Sequence, residues 1–406
     1  MSVMKQFFNI FFSLAISIAV LDSCTKPGIV NPGGHKDYTP IELTKAEQGI
    51  SAEINGFGQE LFKNLYQPQN QMISPLSVSL AFSMAAFGAD GKTENQICSV
   101  LGFEDYNSAQ IGSYYEKMID ALIKADKKTL LKVANSAWFA DSYPILDTYK
   151  EGIKKFYHSD AYNVDFSSPE TGKKINSWVS DNTGGKITDL VSDIDGGIKM
   201  LLVNALYFNG RWSNVFSDNT EFNYFTGIDG NKSRIDMKKY YKGQYSASEG
   251  FEMAEIPYGN TAYVMDVILP PDGMQFEDAV LSFDKKMYDT LLSGQEERDI
   301  DMKMPSFKFE SSFDIVKALV AMGMDLPFTP LADFSKMSGQ ALSITGAVHK
   351  TSIEVDKEGT VAAAATRISY MEASSGPVQF FINRPFIFVI RERSTNTILF
   401  IGQKVR

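Results

Sequence analysis

"VDKEGTVAAAATRIS", Val355 to Ser369, is the stretch on which the reading of this chain turns. A charged, strand-like run leads into Gly359 and Thr360, then into four consecutive alanines, then into residues with little reason to be buried together. Alanine is the best helix former, so periodicity alone leaves a surface helix or a linker open here. The flanking residues have to decide.

Downstream, "FFINRPFIFVIRE" (Phe380 to Glu392) reads as strand. So do "TLLKVANSAWFA" (from Thr129), "MLLVNALYFNG" (from Met200), "TAYVMDVILP" (from Thr261) and "DIDMKMPSFKFES" (from Asp299), each apolar or alternating and rich in β-branched and aromatic residues. From Glu47 to about Ala125 the spacing is helical instead, as in "GFGQELFKNLYQ" and "NSAQIGSYYEKMIDALIKA". Strands and helices mix without a regular βαβ repeat. The class is therefore α+β, with large, mostly antiparallel sheets and about eight or nine helices. No internal repeat or linker divides Ala46 to Arg406, so residues 46–406 are read as one domain.

Composition excludes several functions. With 44% hydrophobic residues the chain is folded, and a net charge of -10 repels a phosphate backbone, so nucleic acid is not a partner. The three histidines, His35, His158 and His349, stand in no H-E-x-x-H, and neither C-x-x-C nor G-x-S-x-G occurs. "GADGKTEN" (Gly88 to Asn95) contains a G-K-T, but a phosphate loop would need glycine at Ala86 and a strand before it. Leu80, Met84 and Phe87 instead share a helical spacing, which makes Gly88 a helix stop. No catalytic residue, metal or cofactor is expected.

Lys5 precedes the apolar run Phe7 to Leu21, short for a membrane span and right for a signal peptide over residues 1–23. "LDSC" follows, with Leu21 three residues before Cys24. This spacing resembles a bacterial lipobox, in which the cysteine is lipidated; plain secretion is the alternative. Residues 24–45, rich in Pro and Gly as far as Pro40, read as a tether. Cys98 is the only other cysteine, so lipidation of Cys24 leaves no intramolecular disulfide.

Six stretches in order now carry a resemblance. "ISPLSVSLAFSMAAFGADGKTENQI", "INSWVSDNTGGKITDLV", "LVNALYFNGRWSNVF", "MPSFKFESSFDIVKALVAMGM", "AVHKTSIEVDKEGTVAAAAT" and "FINRPFIFVIRERSTNTILFIGQ" resemble the serpin family over nearly the whole mature length. The resemblance implies a single-domain serpin fold with an exposed reactive loop after Val355. In inhibitory serpins this loop, once cut, slides into the main sheet as an extra strand. Such a strand must fit between strands already in contact, where excess volume costs about 1–3 kcal/mol per site, hence the alanines.

The hinge so implied is Glu358, Gly359, Thr360, Val361, Ala362, Ala363, Ala364 and Ala365. Gly359, without a Cβ, tolerates the change from loop to strand, and no proline occurs between Val355 and Gly376. If Thr360 points inward, so do Ala362, Ala364, Thr366, Ile368 and Tyr370, and the charge of Arg367 stays outside. Lys357 and Val361 depart from the family's pattern, which favours acidic residues at both positions. The family's spacing places the reactive bond between Ala373 and Ser374, with Met371 or Tyr370 as alternatives. Ser74, Ser77, Asn204 and His349 match the family's shutter, a buried polar cluster under the place where the sheet parts, and Trp212 matches the breach at the loop's entry.

The function implied is inhibition of a serine protease, and of cysteine proteases on the same chemistry, by a suicide mechanism. Ala373 suits an elastase-like pocket, and Met371 or Tyr370 a chymotrypsin-like or subtilisin-like one. A non-inhibitory serpin acting as a binding or chaperone module is the alternative. The expected protein is a monomer with no cofactor. It meets a membrane only through the lipid on Cys24, at the outer membrane or surface of a bacterial cell, facing periplasm or exterior.

Overall fold

The computed structural model describes residues 38–191, 194, 196–359 and 376–406. In chain order come α1 (Lys45–Asn64), β1 (Gln71–Ile73), α2 (Pro75–Gly88), α3 (Gly91–Leu101), α4 (Ser108–Ala125), β2 (Leu130–Ala140), α5 (Asp147–Tyr157), β3 (Asp160–Val164) and α6 (Pro169–Thr183). The strand-rich part follows with β4 (Met200–Asn209), β5 (Ser217–Asp218), β6 (Tyr224–Thr226), β7 (Lys232–Arg234), β8 (Met237–Ser248), β9 (Phe251–Pro257) and β10 (Tyr263–Leu269). The remainder is α7 (Phe276–Ser282), α8 (Lys285–Ser293), β11 (Glu296–Met304), β12 (Phe307–Asp314), α9 (Val316–Ala321), β13 (Gly346–Val355), β14 (Val378–Phe381), β15 (Phe386–Glu392) and β16 (Ile398–Lys404). The class is α+β, with nine α-helices among the described residues.

Two sheets carry the fold. A nine-stranded sheet runs β1-β16-β15-β10-β9-β8-β11-β14, with β5 added beside β8. A five-stranded sheet runs β12-β13-β4-β2-β3, and β6 and β7 form a separate ribbon. Pairing is mostly antiparallel, the described exceptions being β2–β3, β4–β13 and β11–β14. Pro305, which cannot donate to a ladder, separates β11 from β12, so "DIDMKMPSFKFES" is two strands in different sheets. "FFINRPFIFVIRE" divides likewise around Asn383-Arg384-Pro385 into β14 and β15.

The five-stranded sheet is covered on both faces, which is why β4 reads as an unbroken apolar run. Its residues alternate. Leu202 and Leu206 pack into the main core with α2, while Leu201, Val203 and Ala205 pack with Trp138, Ile175 and Val179 beneath α6. Helix α2 starts at a Ser74 N-cap whose side chain accepts the Ser77 N–H, and Pro75 presets the first turn. Every residue of α2 except Phe87 is buried.

Gly88 ends α2, but not as a left-handed stop, since the cap residue Ala89 has φ -90. The glycine answers close packing: a Cβ there would sit 2.5 Å from Met337 Cε and 2.8 Å from Tyr149 Cε2. Part of the stretch read as tether lies against the domain. Buried Tyr38 donates to Glu392 Oε1 (3.0 Å), and the Ile41 N–H donates to Ser394 Oγ (2.9 Å). Among the described residues no helix is long and apolar enough to cross a membrane.

Candidate functional site

The site is the seam between β4 and β13. These strands run parallel in register from Gly346↔Leu201 to Lys350↔Ala205, and there the described pairing ends. Both continue, β13 through Thr351–Val355 and β4 through Leu206–Asn209. At the far end the chains meet again. The Trp212 N–H donates to the Glu358 carbonyl (3.1 Å), the Phe216 N–H to the Lys357 carbonyl (2.7 Å), and Trp212 Nε1–H to the Asp356 carbonyl (2.9 Å). The seam is thus fastened at both ends.

At the lower end four of the predicted residues come together. Asn204 is the register partner of His349 on β13 and of Asn135 on β2, so three polar side chains form one row across the sheet. The Ser74 N–H donates to His349 Nε2 (2.9 Å), which fixes the tautomer, because an accepting Nε2 leaves the proton on Nδ1. That Nδ1–H points to Asn204 Oδ1 at 3.0 Å, and Ser77 Oγ donates to the same oxygen at 2.7 Å. Asn204 Nδ2 donates to the Ser77 carbonyl and to Asn135 Oδ1. All four hydrogen-bonding positions of the Asn204 amide are filled. Burial lowers the His349 pKa to about 3, so the imidazole is neutral.

The upper end is built from rings and backbone. Trp212 stacks on Tyr258 with centroids 4.3 Å apart and meets Phe216 edge-on at 5.8 Å. Gly359 has φ +130, and a Cβ there would lie 2.5 Å from both Arg211 Cα and the Gly210 carbonyl oxygen. Asp356 Oδ1 accepts the N–H groups of Glu358 (2.8 Å) and Gly359 (3.1 Å), which tightens the turn. Lys357, unusual for the family pattern, reaches Asp218 Oδ1 at 2.5 Å. The pair is exposed, and it raises the Lys357 pKa through that hydrogen bond.

Of the residues singled out from sequence, Ser74, Ser77, Asn204 and His349 form the lower cluster, and Trp212, Glu358 and Gly359 the upper one. Thr360, Val361, Ala362, Ala363, Ala364, Ala365, Tyr370, Met371, Ala373 and Ser374 lie outside the described residues, as does Cys24. Sequence reasoning missed Asn135, Asp356 and Asp218. Asn135 alone had a visible signal, a lone amide inside the apolar strand "LLKVANSAWFA".

Comparison with known proteins matches this arrangement. The family described as "Serpin (serine protease inhibitor)" matches residues 52–406. Serpin B4 of Homo sapiens is 35% identical, over 87% of this chain and 98% of that protein. Iripin-2 of Ixodes ricinus is 30% identical, over 89% of this chain and 93% of that protein. Among solved structures, the thermophilic serpin Tengpin in its native state superposes with a TM-score of 0.81 at 29% identity, covering 91% of this chain and 96% of Tengpin. With the matched residues 52–406 spanning the seam and both its fastenings, this chain belongs to the serpin family, whose members are in general protease inhibitors rather than catalysts.

Proposed function

We propose that the protein inhibits serine proteases, and cysteine proteases by the same acyl chemistry, by accepting its own cleaved loop as a strand between β4 and β13. The observation that carries this is the seam: a parallel pairing that stops at Lys350↔Ala205 while both strands run on. A strand that turns back after Gly359 runs opposite to β13. Because β4 is parallel to β13, it runs opposite to both. Insertion therefore replaces a parallel pairing with two antiparallel ones, which are more stable per residue.

The chemistry is a race. The protease's hydroxyl or thiolate attacks the carbonyl of Ala373, the amine of Ser374 leaves, and an ester or thioester tethers the enzyme. Insertion of residues 360–373, at about 3.3 Å each, carries it about 45 Å before water can release it. Cleavage after Met371 or Tyr370 shortens that strand only slightly. Cleavage after Arg367 leaves too short a strand, so trypsin-like enzymes meet a substrate. The small Ala373 favours an elastase-like target, and Met371 or Tyr370 a chymotrypsin-like or subtilisin-like one. The spacing of Leu21 and Cys24 supports a lipid anchor on Cys24, and the protein is placed with it as a monomer on the outer membrane or surface of a bacterial cell. Palmitate labelling lost in Cys24→Ser tests that placement.

The inhibitory reading is tested by mixing residues 25–406 with elastase, chymotrypsin and trypsin, followed by denaturing electrophoresis and mass spectrometry. A covalent band of summed mass and a released peptide starting at Ser374 are expected with elastase. Cleavage by every protease without loss of protease activity would defeat this reading in favour of a non-inhibitory binding module.

A further inference from the structure

Directly beneath the upper fastening lies a group that neither the fold nor the loop chemistry requires. Lys239, on β8, is buried, and its Nζ has no hydrogen-bond partner among the described residues. Three rings surround the amine, with centroids at 4.9 Å (Tyr241), 5.1 Å (Phe216) and 6.0 Å (Trp212). Two of those rings belong to the residues whose backbone N–H groups hold the hinge carbonyls of Lys357 and Glu358. On the hinge itself, Glu358 Oε2 is also buried without a partner among the described residues. Two groups that water would solvate well are thus shut under a seam held by three hydrogen bonds from Trp212 and Phe216.

Among the described residues no acid forms a hydrogen bond with the Lys239 amine. On β8 itself, Lys238 and Tyr240 fall on the opposite face by strand alternation, and the Tyr241 hydroxyl donates to the Glu255 carbonyl at 3.0 Å. Lys239 faces Met302 on β11, whose neighbours are Asp301 and Lys303, the latter 2.6 Å from Glu221. β14 contributes Phe380 and Phe381 beside that strand. Along β5 and the hinge, Asp218 is held by Lys357, and Asp356 Oδ1 by two backbone N–H groups. Glu358 is the remaining acid. Burial lowers the Lys239 pKa to about 7.

We infer that Lys239 is a positioning residue for the hinge, holding the upper fastening closed while its amine is neutral and loosening it when the amine takes a proton. A protonated amine in this cage lacks hydrogen bonds and gains them only when Trp212 and Phe216 move aside, which releases the hinge. An exposed lysine titrates near 10.4, so between about pH 7 and pH 10.4 the opened seam binds a proton that the closed one does not. Raising the pH through that window stabilises the closed seam. Below pH 7 both forms are protonated and the difference is flat.

The consequence for loop insertion rests on the inhibitor reading, and the experiment separates the two. A fluorescent peptide of residues 360–373 is offered to wild type, Lys239→Met and Glu358→Gln at pH 7.0 and pH 9.5, and its stable uptake is timed. Full exposure of the amine would favour opening on the order of 100-fold more at pH 7.0 than at pH 9.5. We expect wild type to take up the peptide at least tenfold faster at pH 7.0. Lys239→Met, of similar volume and uncharged, should be slow and equal at both, and Glu358→Gln should keep the wild-type ratio. Equal pH ratios in wild type and Lys239→Met overturn the inference and leave insertion standing, whereas uptake by no protein at either pH overturns both. Should Lys239→Met not fold, the Lys239 13Cε resonance of wild type decides: a titration midpoint near 7 supports the device, and one near 10 overturns it.

Discussion

His349 on β13 and Asn204 on β4 are opposite one another in the parallel seam, and their side chains are joined across it by an Nδ1–Oδ1 hydrogen bond of 3.0 Å. A strand inserted between β4 and β13 has to break this bond. Asn204→Ala removes it in advance, leaving the His349 Nδ1–H, the Ser77 hydroxyl and Asn135 Oδ1 without their partner. An orphaned buried group costs about 1–3 kcal/mol, so a loss of about 3 kcal/mol in native stability is expected. It should show as a lower urea midpoint and a faster spontaneous conversion to a heat-resistant form on incubation at 45 °C. Unchanged conversion would mean that the cluster does not restrain the seam.

The same histidine sets an acid limit. Its pKa is about 3 in the closed structure and 6.5 when exposed, so between those values the opened or unfolded chain binds a proton that the native one does not. The contribution is fully present above pH 6.5 and is lost as the pH falls towards 3, at about 1.36 kcal/mol per unit. His349→Gln keeps a polar side chain but cannot titrate. Relative to that variant, wild type should lose urea stability between pH 6.5 and 4.5, and parallel curves would refute the assignment.

How much of this could be read beforehand depended on whether the signal was local. The apolar run of β4 and the glycine at 359 announce their surroundings, because burial on two faces and close backbone approach each restrict residue type directly. Asn204 and His349 were found through "LVNAL" and "AVHK", but Asn135 was not, since its role exists only once β2 lies beside β4. Lys239 sits in "MKKYYKGQY", where any lysine reads as solvated, and only the arrival of Trp212 and Phe216 buries it. The break at Pro305 was visible as a residue, yet its consequence, two strands in two sheets, is a fact of topology.

Lys357 and Asp218 make a further test of scale. Their contact is 2.5 Å, but the side chains keep 45% and 75% of their exposure, and pairs of this kind are worth well under 1 kcal/mol. Lys357→Ala should therefore shift the unfolding midpoint by no more than a degree or two. Lys357→Glu places like charges together and should open the hinge more readily at low salt, an effect that 0.5 M NaCl suppresses. The exchange Lys357→Glu with Asp218→Lys should restore wild-type peptide uptake. A large loss in Lys357→Ala would show that the lysine acts through something other than this pair.

Gly359 carries the sharpest steric demand in the seam. Its φ of +130 is one that side chains with a Cβ rarely adopt, and the added atom would fall 2.5 Å from Arg211 Cα and from the Gly210 carbonyl oxygen, and 2.6 Å from the Trp212 nitrogen. These neighbours are backbone and cannot swing away. Gly359→Ala must therefore move the hinge off the 210–212 segment, straining or breaking the Trp212 N–H to Glu358 carbonyl bond at 3.1 Å. Backbone strain of this kind costs about 1–3 kcal/mol. The penalty applies to the closed hinge, while in an inserted strand an extended alanine fits without strain. The variant should thus show faster amide exchange at Trp212, faster peptide uptake and an unaltered melting temperature once the loop has been cleaved. Slower uptake with normal exchange at Trp212 would mean that the glycine serves the inserted strand rather than the closed turn.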